Sequence, residues 1–376
     1  MSMHKQGKLV VLAAGGTGGH MFPARALAEE LLQRDCRVAL VTDSRGGGFG
    51  DSLPQVETHF ISATAILGGG LLHKARGALN LALGYLQARR LLRRLKPSAA
   101  VGFGGYASVP TMLAASAVGS RVVLHEQNQV VGRANRMLAR RADAIASSFP
   151  QPSGLDPNAE NRVVLTGNPV RADIAAVGEQ GYRLPAEKTP FVLLVTGGSQ
   201  GAQAFNELIP AAVAQLPQAL REQLEVVQQV RGDALESVAS HYKECGVNCT
   251  VQTFFQDMPQ RLAAAHLVVC RAGASTVTEL AAAGRPAIYV PYPFAADDHQ
   301  TGNAQAMAEA GGGWLMPQRT LTAENLAEKL KGLMETPNLL EEAAHRARDA
   351  AVMGAAARLA DLVCDQQGDQ DRGEAA

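Results

Sequence analysis

Two stretches decide the fold: Leu9-Val-Val-Leu-Ala-Ala-Gly-Gly-Thr-Gly-Gly19 and Phe191-Val-Leu-Leu-Val-Thr-Gly-Gly-Ser-Gln-Gly201. In each, a short apolar run rich in β-branched residues ends in paired glycines and leads into a helix-like segment. Such a run suits a strand buried on both faces of a parallel sheet. The glycines let backbone N–H groups approach a ligand closely, and the following helix offers unpaired donors with partial positive charge. That chemistry suits a phosphate or a sugar hydroxyl. One such loop is equally well read as a tight strand-to-helix turn. Two at matching positions, with a third at Gly102-Phe-Gly-Gly-Tyr106, favour ligand binding and imply two similar α/β domains facing each other across a cleft.

Working outward, strand and helix signals alternate. The pattern predicts strands at 8–14, 37–42, 99–103 and 121–125, with helices at 23–34, about 74–95 and 109–118. The second half repeats it, with strands near 191–195, 225–229, 249–253, 267–270 and 287–290 and helices beginning near 202, 233, 258, 275 and 302. This is the pattern of two doubly wound parallel sheets, each Rossmann-like. Composition shifts to Pro, Ser, Gly and Asn from Ser147 to Asn161, and Gly167-Asn-Pro-Val-Arg171 follows, placing a hinge near Asn168. The expected domains are 1–168, joined by a C-terminal helix at about 350–364, and 169–349, with 365–376 as a disordered tail. Asp369-Gln-Asp371 in that tail has a metal-site spacing, but a floppy terminus cannot preorganise one.

At 376 residues, 47% hydrophobic and 19% charged, the chain has the composition of a soluble globular protein. Its formal net charge of +0 conceals an asymmetry: 1–150 holds 18 basic against 8 acidic residues, and the remainder 17 against 27. No acidic residue falls between Glu57 and Glu126, where Lys74, Arg76, Arg89, Arg90, Arg93, Arg94, Lys96 and Arg121 lie. Leu71, Leu72, Leu79, Leu83, Tyr85 and Leu86 are interleaved with these bases, which suits a helix at an anionic membrane surface better than a nucleic-acid reader. A solvated surface helix packing its leucines inward is the plainer alternative. The polar segment Met1 to Lys8 carries no signal-peptide pattern, so the cytosol is expected. Cys36, Cys245, Cys249, Cys270 and Cys364 form neither a disulfide framework nor a zinc pattern, so no metal is expected.

The first loop separates two chemistries. A dinucleotide fingerprint counted from Gly16 would need glycine where Met21 stands, which demotes a nicotinamide-dependent oxidoreductase even though Asp43 could meet a ribose. His20 on this loop can accept a proton from an attacking hydroxyl, or simply orient or cap. Glu126, in His125-Glu-Gln-Asn128 at a strand's carboxyl end, competes for the role of base. In the second half, Thr276 and Glu279 have capping-box spacing, but Glu279 could equally take both hydroxyls of a ribose. Small residues from Ala272 to Ser275 leave space for a diphosphate, Asp297-Asp-His-Gln300 suits sugar hydroxyls, and Arg171 can pair with a phosphate.

Taken together, Gly15-Gly-Thr-Gly-Gly-His20, Gly102 to Tyr106, His125 to Asn128, Gly167 to Arg171, Gly197-Gly-Ser-Gln-Gly-Ala202, Arg271 to Glu279 and His299-Gln300 resemble glycosyltransferase family 28 over roughly residues 8–360. The resemblance is to its GT-B enzymes of peptidoglycan synthesis. It implies inverting, cofactor-free transfer of N-acetylglucosamine from UDP-N-acetylglucosamine to the 4-hydroxyl of the muramoyl sugar of lipid I, the undecaprenyl-diphosphate-linked muramoyl peptide, giving lipid II. A related lipid glycosyltransferase, a UDP-sugar epimerase or a non-catalytic nucleotide-sugar sensor would share the donor site.

On this resemblance, 1–168 is the acceptor- and membrane-binding domain and 169–349 the donor domain. Phe255 is expected at the uracil through its backbone, Glu279 at the ribose, Ala274, Ser275 and Thr276 at the diphosphate with Val277 and Thr278 beside them, and Gln300 at the sugar. Arg171, Ser199 and Asn128, with Thr17, Gly18 and Gly19, complete the donor contacts. Gly104, Gly105 and Tyr106 are expected at the acceptor diphosphate. His20 is the candidate base with Glu126 in reserve, and Leu79, Leu83, Leu86, Arg89 and Arg93 are expected to dock on the cytoplasmic face of the inner membrane, among cell-wall synthesis and division proteins. Phe255 replaces a common aliphatic residue of the family, and Val131 stands where proline is frequent.

Overall fold

A computed structural model of the chain describes residues 7–15, 18–43, 53–63, 71–185, 189–198 and 202–365, apart from the side chains of 71–75. The chain divides into two compact units, one drawn from Met1–Pro169 with Val352–Ala376 and the other from Val170–Ala351.

The first unit carries a seven-stranded parallel sheet of β1 (Leu9–Ala13), β2 (Arg37–Thr42), β3 (Glu57–Phe60), β4 (Ala99–Gly102), β5 (Arg121–Glu126), β6 (Ala144–Ser147) and β7 (Val163–Leu165). Their order is β3-β2-β1-β4-β5-β6-β7. The second unit repeats it with β8 (Phe191–Thr196), β9 (Leu224–Gln229), β10 (Asn248–Gln252), β11 (Leu267–Cys270), β12 (Ala287–Tyr289) and β13 (Gly313–Leu315), ordered β10-β9-β8-β11-β12-β13. Every pairing is parallel, for example Leu9↔Arg37 through Ala13↔Val41 and Leu267↔Leu193 through Cys270↔Thr196. These are the doubly wound sheets the sequence predicts.

In each sheet the strand order reverses beside the first strand, between β1 and β4 and between β8 and β11. Connections from neighbouring strands therefore leave toward opposite faces, and a crevice opens at their carboxyl ends. The glycine-rich segments after β1, β4 and β8 all start at these reversals.

The strands are apolar on both faces because both are covered. In β1, Leu9, Val11 and Ala13 pack with Ala88, Leu92, Val109 and Met112, whereas Val10 and Leu12 pack with Leu27, Leu31, Leu359 and Val363. Each buried leucine or valine contributes roughly 1.5–3 kcal/mol on the transfer scale. The second layer includes residues from far along the chain: the helix Ala355–Cys364 lies on the helix Gly18–Gln33, where Arg34 bonds Asp361 at 2.5 Å and the Ala357 carbonyl at 3.2 Å.

Three features differ from the sequence reading. The first helix begins at Gly18, not 23, so Pro23 lies inside it and Gly18, Gly19 and His20 form its first turn. Proline is favoured at a helix start, yet here it stands inside the helix. The strands β3, β6, β7 and β13 were not predicted; β3 is a partly exposed edge strand with a weak apolar signal, and β7, at the other edge, is only three residues long. The helices Arg133–Leu138, Ala172–Glu179 and Ala323–Glu335 were not predicted either.

The long basic helix Leu71–Leu95 packs against the helix Ser108–Ala117 and is seated by Gly84, where a Cβ would lie 2.0 Å from the Ser62 carbonyl oxygen. A backbone oxygen cannot swing aside as a side chain can. Gly84→Ala is therefore expected to destabilise the first unit by about 1–3 kcal/mol despite alanine's better helix propensity. Urea unfolding followed by circular dichroism measures this; a variant as stable as the parent would show that the contact is not tight.

Candidate functional site

In the first unit, the turn after β4 holds Gly104 at φ +86° and Gly105 at φ +74°, left-handed conformations that exclude most side chains. A Cβ at Gly104 would lie 3.4 Å from Cε1 of His20, and one at Gly105 would lie 3.4 Å from its Cδ2. The His20 ring thus rests along the glycine backbone and is held there by the absence of side chains. Tyr106 follows, and Ser108 Oγ closes the turn by donating to the Gly105 carbonyl at 2.9 Å. Thr17 lies outside the described residues.

At the end of β5, His125 is fully buried and its Nε2 lies 3.2 Å from the Gly167 carbonyl oxygen. Burial holds the imidazole down to a pKa of about 4, with nearby His20 adding to the effect. Glu126 is 3% exposed and behaves differently from a base waiting for substrate. One carboxylate oxygen accepts from the backbone N–H and the side-chain amide of Asn128, at 2.9 and 3.3 Å. The other accepts from Gly132 N–H at 2.9 Å and Asn135 Nδ2 at 2.8 Å. Four donors from the following loop and helix converge on it, so this geometry weighs against Glu126 as a base. Val131 is fully buried and donates its N–H to Ser153 at 2.9 Å, a bond that proline could not make.

In the second unit, Thr196 Oγ1 donates to Gln229 Oε1 at 2.8 Å and accepts from Gly198 N–H at 3.3 Å, with Gly198 at φ +74°. The helix Gln203–Ala214 then begins without a side-chain cap. Ser199 lies outside the described residues. After β11, Gly273 is the N-cap of the helix Ala274–Ala283, again with no side-chain cap bond. The capping box suggested by Thr276 and Glu279 is therefore not formed: Thr276 sits third in the helix, too late to cap it. Thr278 donates back to the Ala274 and Ser275 carbonyls, at 2.9 and 3.1 Å. The first-turn N–H groups of both helices remain to meet an anion.

Around that turn the side chains are fixed. Arg171 Nε bonds Glu279 Oε1 at 3.3 Å; burial pushes the Glu279 carboxyl up, and Arg171 counters it. Gln300 Oε1 accepts from the N–H groups of Ala272 and Tyr292, at 3.2 and 3.0 Å, which leaves its amide nitrogen as its donor. Asn303 Nδ2 bonds the Ala272 carbonyl at 3.1 Å. Arg271 is buried, bonds the Val290 and Pro291 carbonyls at 3.1 and 3.2 Å, and stacks over Phe205 and Tyr292. Phe255 is buried beneath the Arg261 guanidinium, so its ring is structural and its backbone is the part able to meet a ligand. In the Asp297 to Gln300 segment, the Asp298 carboxylate accepts from Thr301 Oγ1 at 2.7 Å, and His299 Nδ1 bonds the Ala296 carbonyl at 2.7 Å. Among the described residues no cluster of three or more His, Cys, Asp and Glu side chains could hold a metal ion.

On the helix Leu71–Leu95, Leu79, Leu83 and Leu86 are 60%, 44% and 58% exposed. With exposed Arg90 and Arg93 they recur every three or four residues along one stripe. Arg89, expected among them, is only half-exposed and has a buried Nε, because its helical angle turns it off that stripe. No helix among the described residues is long and apolar enough to cross a membrane.

Two family models match the chain: the glycosyltransferase family 28 N-terminal domain over residues 10–147 and the glycosyltransferase family 28 C-terminal domain over 192–359. The chain belongs to glycosyltransferase family 28. A family 28 relative from Rhodospirillum centenum is 55% identical over 354 residues, covering 94% of this chain and 93% of the relative. It is named as a UDP-N-acetylglucosamine–N-acetylmuramyl-(pentapeptide) pyrophosphoryl-undecaprenol N-acetylglucosamine transferase. A relative of the same name from Paramagnetospirillum magneticum is 52% identical over 361 residues, 96% of this chain and 97% of that one. The crystal structure of Acinetobacter baumannii MurG superposes with a TM-score of 0.78 at 33% identity, covering 95% of this chain and 99% of that one.

Within this family 28 chain, His125, Asn135 and Arg271 were not assigned roles from sequence. Asn135 lies nine residues beyond Glu126 in an unpredicted helix, and no local pattern links the two. The four bonds on Glu126 make a stability prediction. Glu126→Gln puts an N–H₂ group where donors already converge and should cost about 1–3 kcal/mol, read as a lower urea midpoint. A variant of unchanged stability that has lost all activity would return Glu126 to the role of base.

Proposed function

We propose that this chain transfers N-acetylglucosamine from UDP-N-acetylglucosamine to the muramoyl 4-hydroxyl of lipid I, forming lipid II with inversion at the anomeric carbon. It is a hexosyltransferase of peptidoglycan synthesis. The observation that carries this reading is identity of 55% and 52% to relatives named for that reaction, along almost the whole of both chains.

The residues take roles that fit their surroundings. The acceptor oxygen bonds to C1 of the sugar as the bond from C1 to UDP breaks, and its proton passes to His20. The departing diphosphate meets the uncapped turn at Ala274, Ser275 and Thr276, beside Val277 and Thr278, where helix N–H groups favour negative charge. Glu279, held by Arg171, takes the ribose hydroxyls, the Phe255 backbone meets the uracil, and the Gln300 amide nitrogen meets the sugar. Gly104, Gly105 and Tyr106 receive the acceptor diphosphate. Gly18 and Gly19 present first-turn N–H groups to the donor. Glu126 and Asn128 brace the loop rather than react. The reaction proceeds without a metal or cofactor.

The exposed leucines with Arg90 and Arg93 dock the protein on the anionic cytoplasmic face of the inner membrane, where the lipid-linked acceptor resides, near cell-wall synthesis and division proteins. Each basic side chain close to such a surface adds about 1 kcal/mol of attraction.

Transfer of radiolabelled N-acetylglucosamine from the UDP donor to a lipid I analogue tests the reading. Activity should survive EDTA and fall by roughly 10²-fold or more in His20→Ala. A folded parent protein that binds donor but transfers nothing would sink it. For the membrane surface, replacing Leu79 and Leu83 by Ser should weaken binding to anionic vesicles while leaving turnover of a short-chain acceptor analogue largely intact. Equal losses in both assays would point to misfolding and discard the docking role.

A further inference from the structure

Behind His20 lies a small buried polar cluster whose hydrogen bonding is unbalanced. The Gly167 carbonyl can only accept, so His125 Nε2, 3.2 Å away, must carry the ring proton. Burial holds this imidazole neutral, so Nδ1 is a bare lone pair. That Nδ1 is buried and meets no donor among the described residues. Asn135 repeats the pattern. Its Nδ2 donates to the His125 carbonyl at 3.2 Å and to Glu126 at 2.8 Å, which fixes the amide orientation, and its Oδ1 is buried with no donor.

Two acceptors nine-tenths or more buried and lacking a donor are costly, at about 1–3 kcal/mol each, unless a proton source sits between them. The Gly104 turn brings the His20 ring near Asn135. The position of a Cβ on Gly104 lies 3.4 Å from the His20 ring and 3.7 Å from Asn135 Nδ2, and the His20 charge is felt at His125.

We propose that His125 is a positioning residue for the transfer: its Nδ1, together with Asn135 Oδ1, holds one N–H of His20 through a bridging water. This rests on His20 being the base. The water donates to the two buried acceptors and receives the His20 N–H, which gives each acceptor its donor. His20 is thereby fixed in the tautomer whose other nitrogen is unprotonated and takes the proton of the acceptor hydroxyl. When that nitrogen takes the proton as the O–C1 bond forms, the resulting imidazolium already has its opposite N–H bonded. A neutral histidine pair does here what a carboxylate does for the histidine of a hydrolytic triad.

Two substitutions separate this role from a tether on Gly167. His125→Asn puts a polar atom near the Nδ1 position and gives up the bond to Gly167; His125→Gln keeps a donor near Nε2 and gives up Nδ1. The expectation is a fall in kcat on the order of tenfold or more for His125→Gln with KM for both substrates unchanged, and recovery of most of that kcat in His125→Asn. Parent-like kcat in His125→Gln, or equal losses in both variants, overturns the proposal. A second measurement needs no change at position 125: in histidine ¹⁵N-labelled protein, His20→Ala should move the His125 Nδ1 resonance while leaving Nε2 as the protonated nitrogen. An unmoved Nδ1 resonance also overturns it. Activity retained by His20→Ala would instead sink the assignment of the base, whereas loss there with full activity in His125→Gln removes only this inference.

Discussion

The reversal of strand order beside β1 and beside β8 is the constraint on which the rest depends. A parallel strand cannot return to its neighbour by a tight hairpin, so crossovers such as β1 to β2 and β8 to β9 carry a helix across one face. Where successive crossovers go to opposite faces, the space above the strands stays open, and any loop ending there must be short and small. The left-handed backbone at Gly104, Gly105 and Gly198 meets that demand.

Electrostatics then follows from what is absent at those starts. The helices at 203 and 274 have no side chain on their leading N–H groups, although the helix Ala323–Glu335 has a complete capping box from Thr322 and Asn325. An uncapped end costs stability, and an anion seated at such an end would offset that cost. Polar groups of the second unit near the helix start at 274 are committed elsewhere: Arg271 to two carbonyls, Gln300 Oε1 to two backbone amides. A rigid surround of this kind keeps the few uncommitted donors in place.

Much of this was legible in the sequence, for physical reasons. Buried parallel strands are continuous apolar runs, and β2 and β11 fall on the predicted residues 37–42 and 267–270. Glycine loops announce themselves because few other residues tolerate the backbone they need. What was hidden depends on the third dimension. The edge strand Glu57-Thr-His-Phe60 lacks the apolar run of a central strand, since it is partly exposed. The carboxylate of Glu126 reads as chemistry until its donors at Asn128, Gly132 and Asn135 are seen to close on it. The pairing of Thr276 with Glu279 reads as a cap until the helix is found to begin at Ala274, with Gly273 as its N-cap.

The seating of Ala355–Cys364 on the first helix also sets an order in time. Leu359, Ala360 and Val363 complete a core layer that begins with Val10 and Leu12, although the whole second unit is encoded between them. As the chain emerges from the ribosome, the first sheet must wait with that face partly uncovered while residues 170–351 are made. The second unit, continuous in sequence, can fold in the meantime. The earliest-synthesised half of the protein is thus the last to finish, and its exposed face is what a chaperone would meet on the nascent chain.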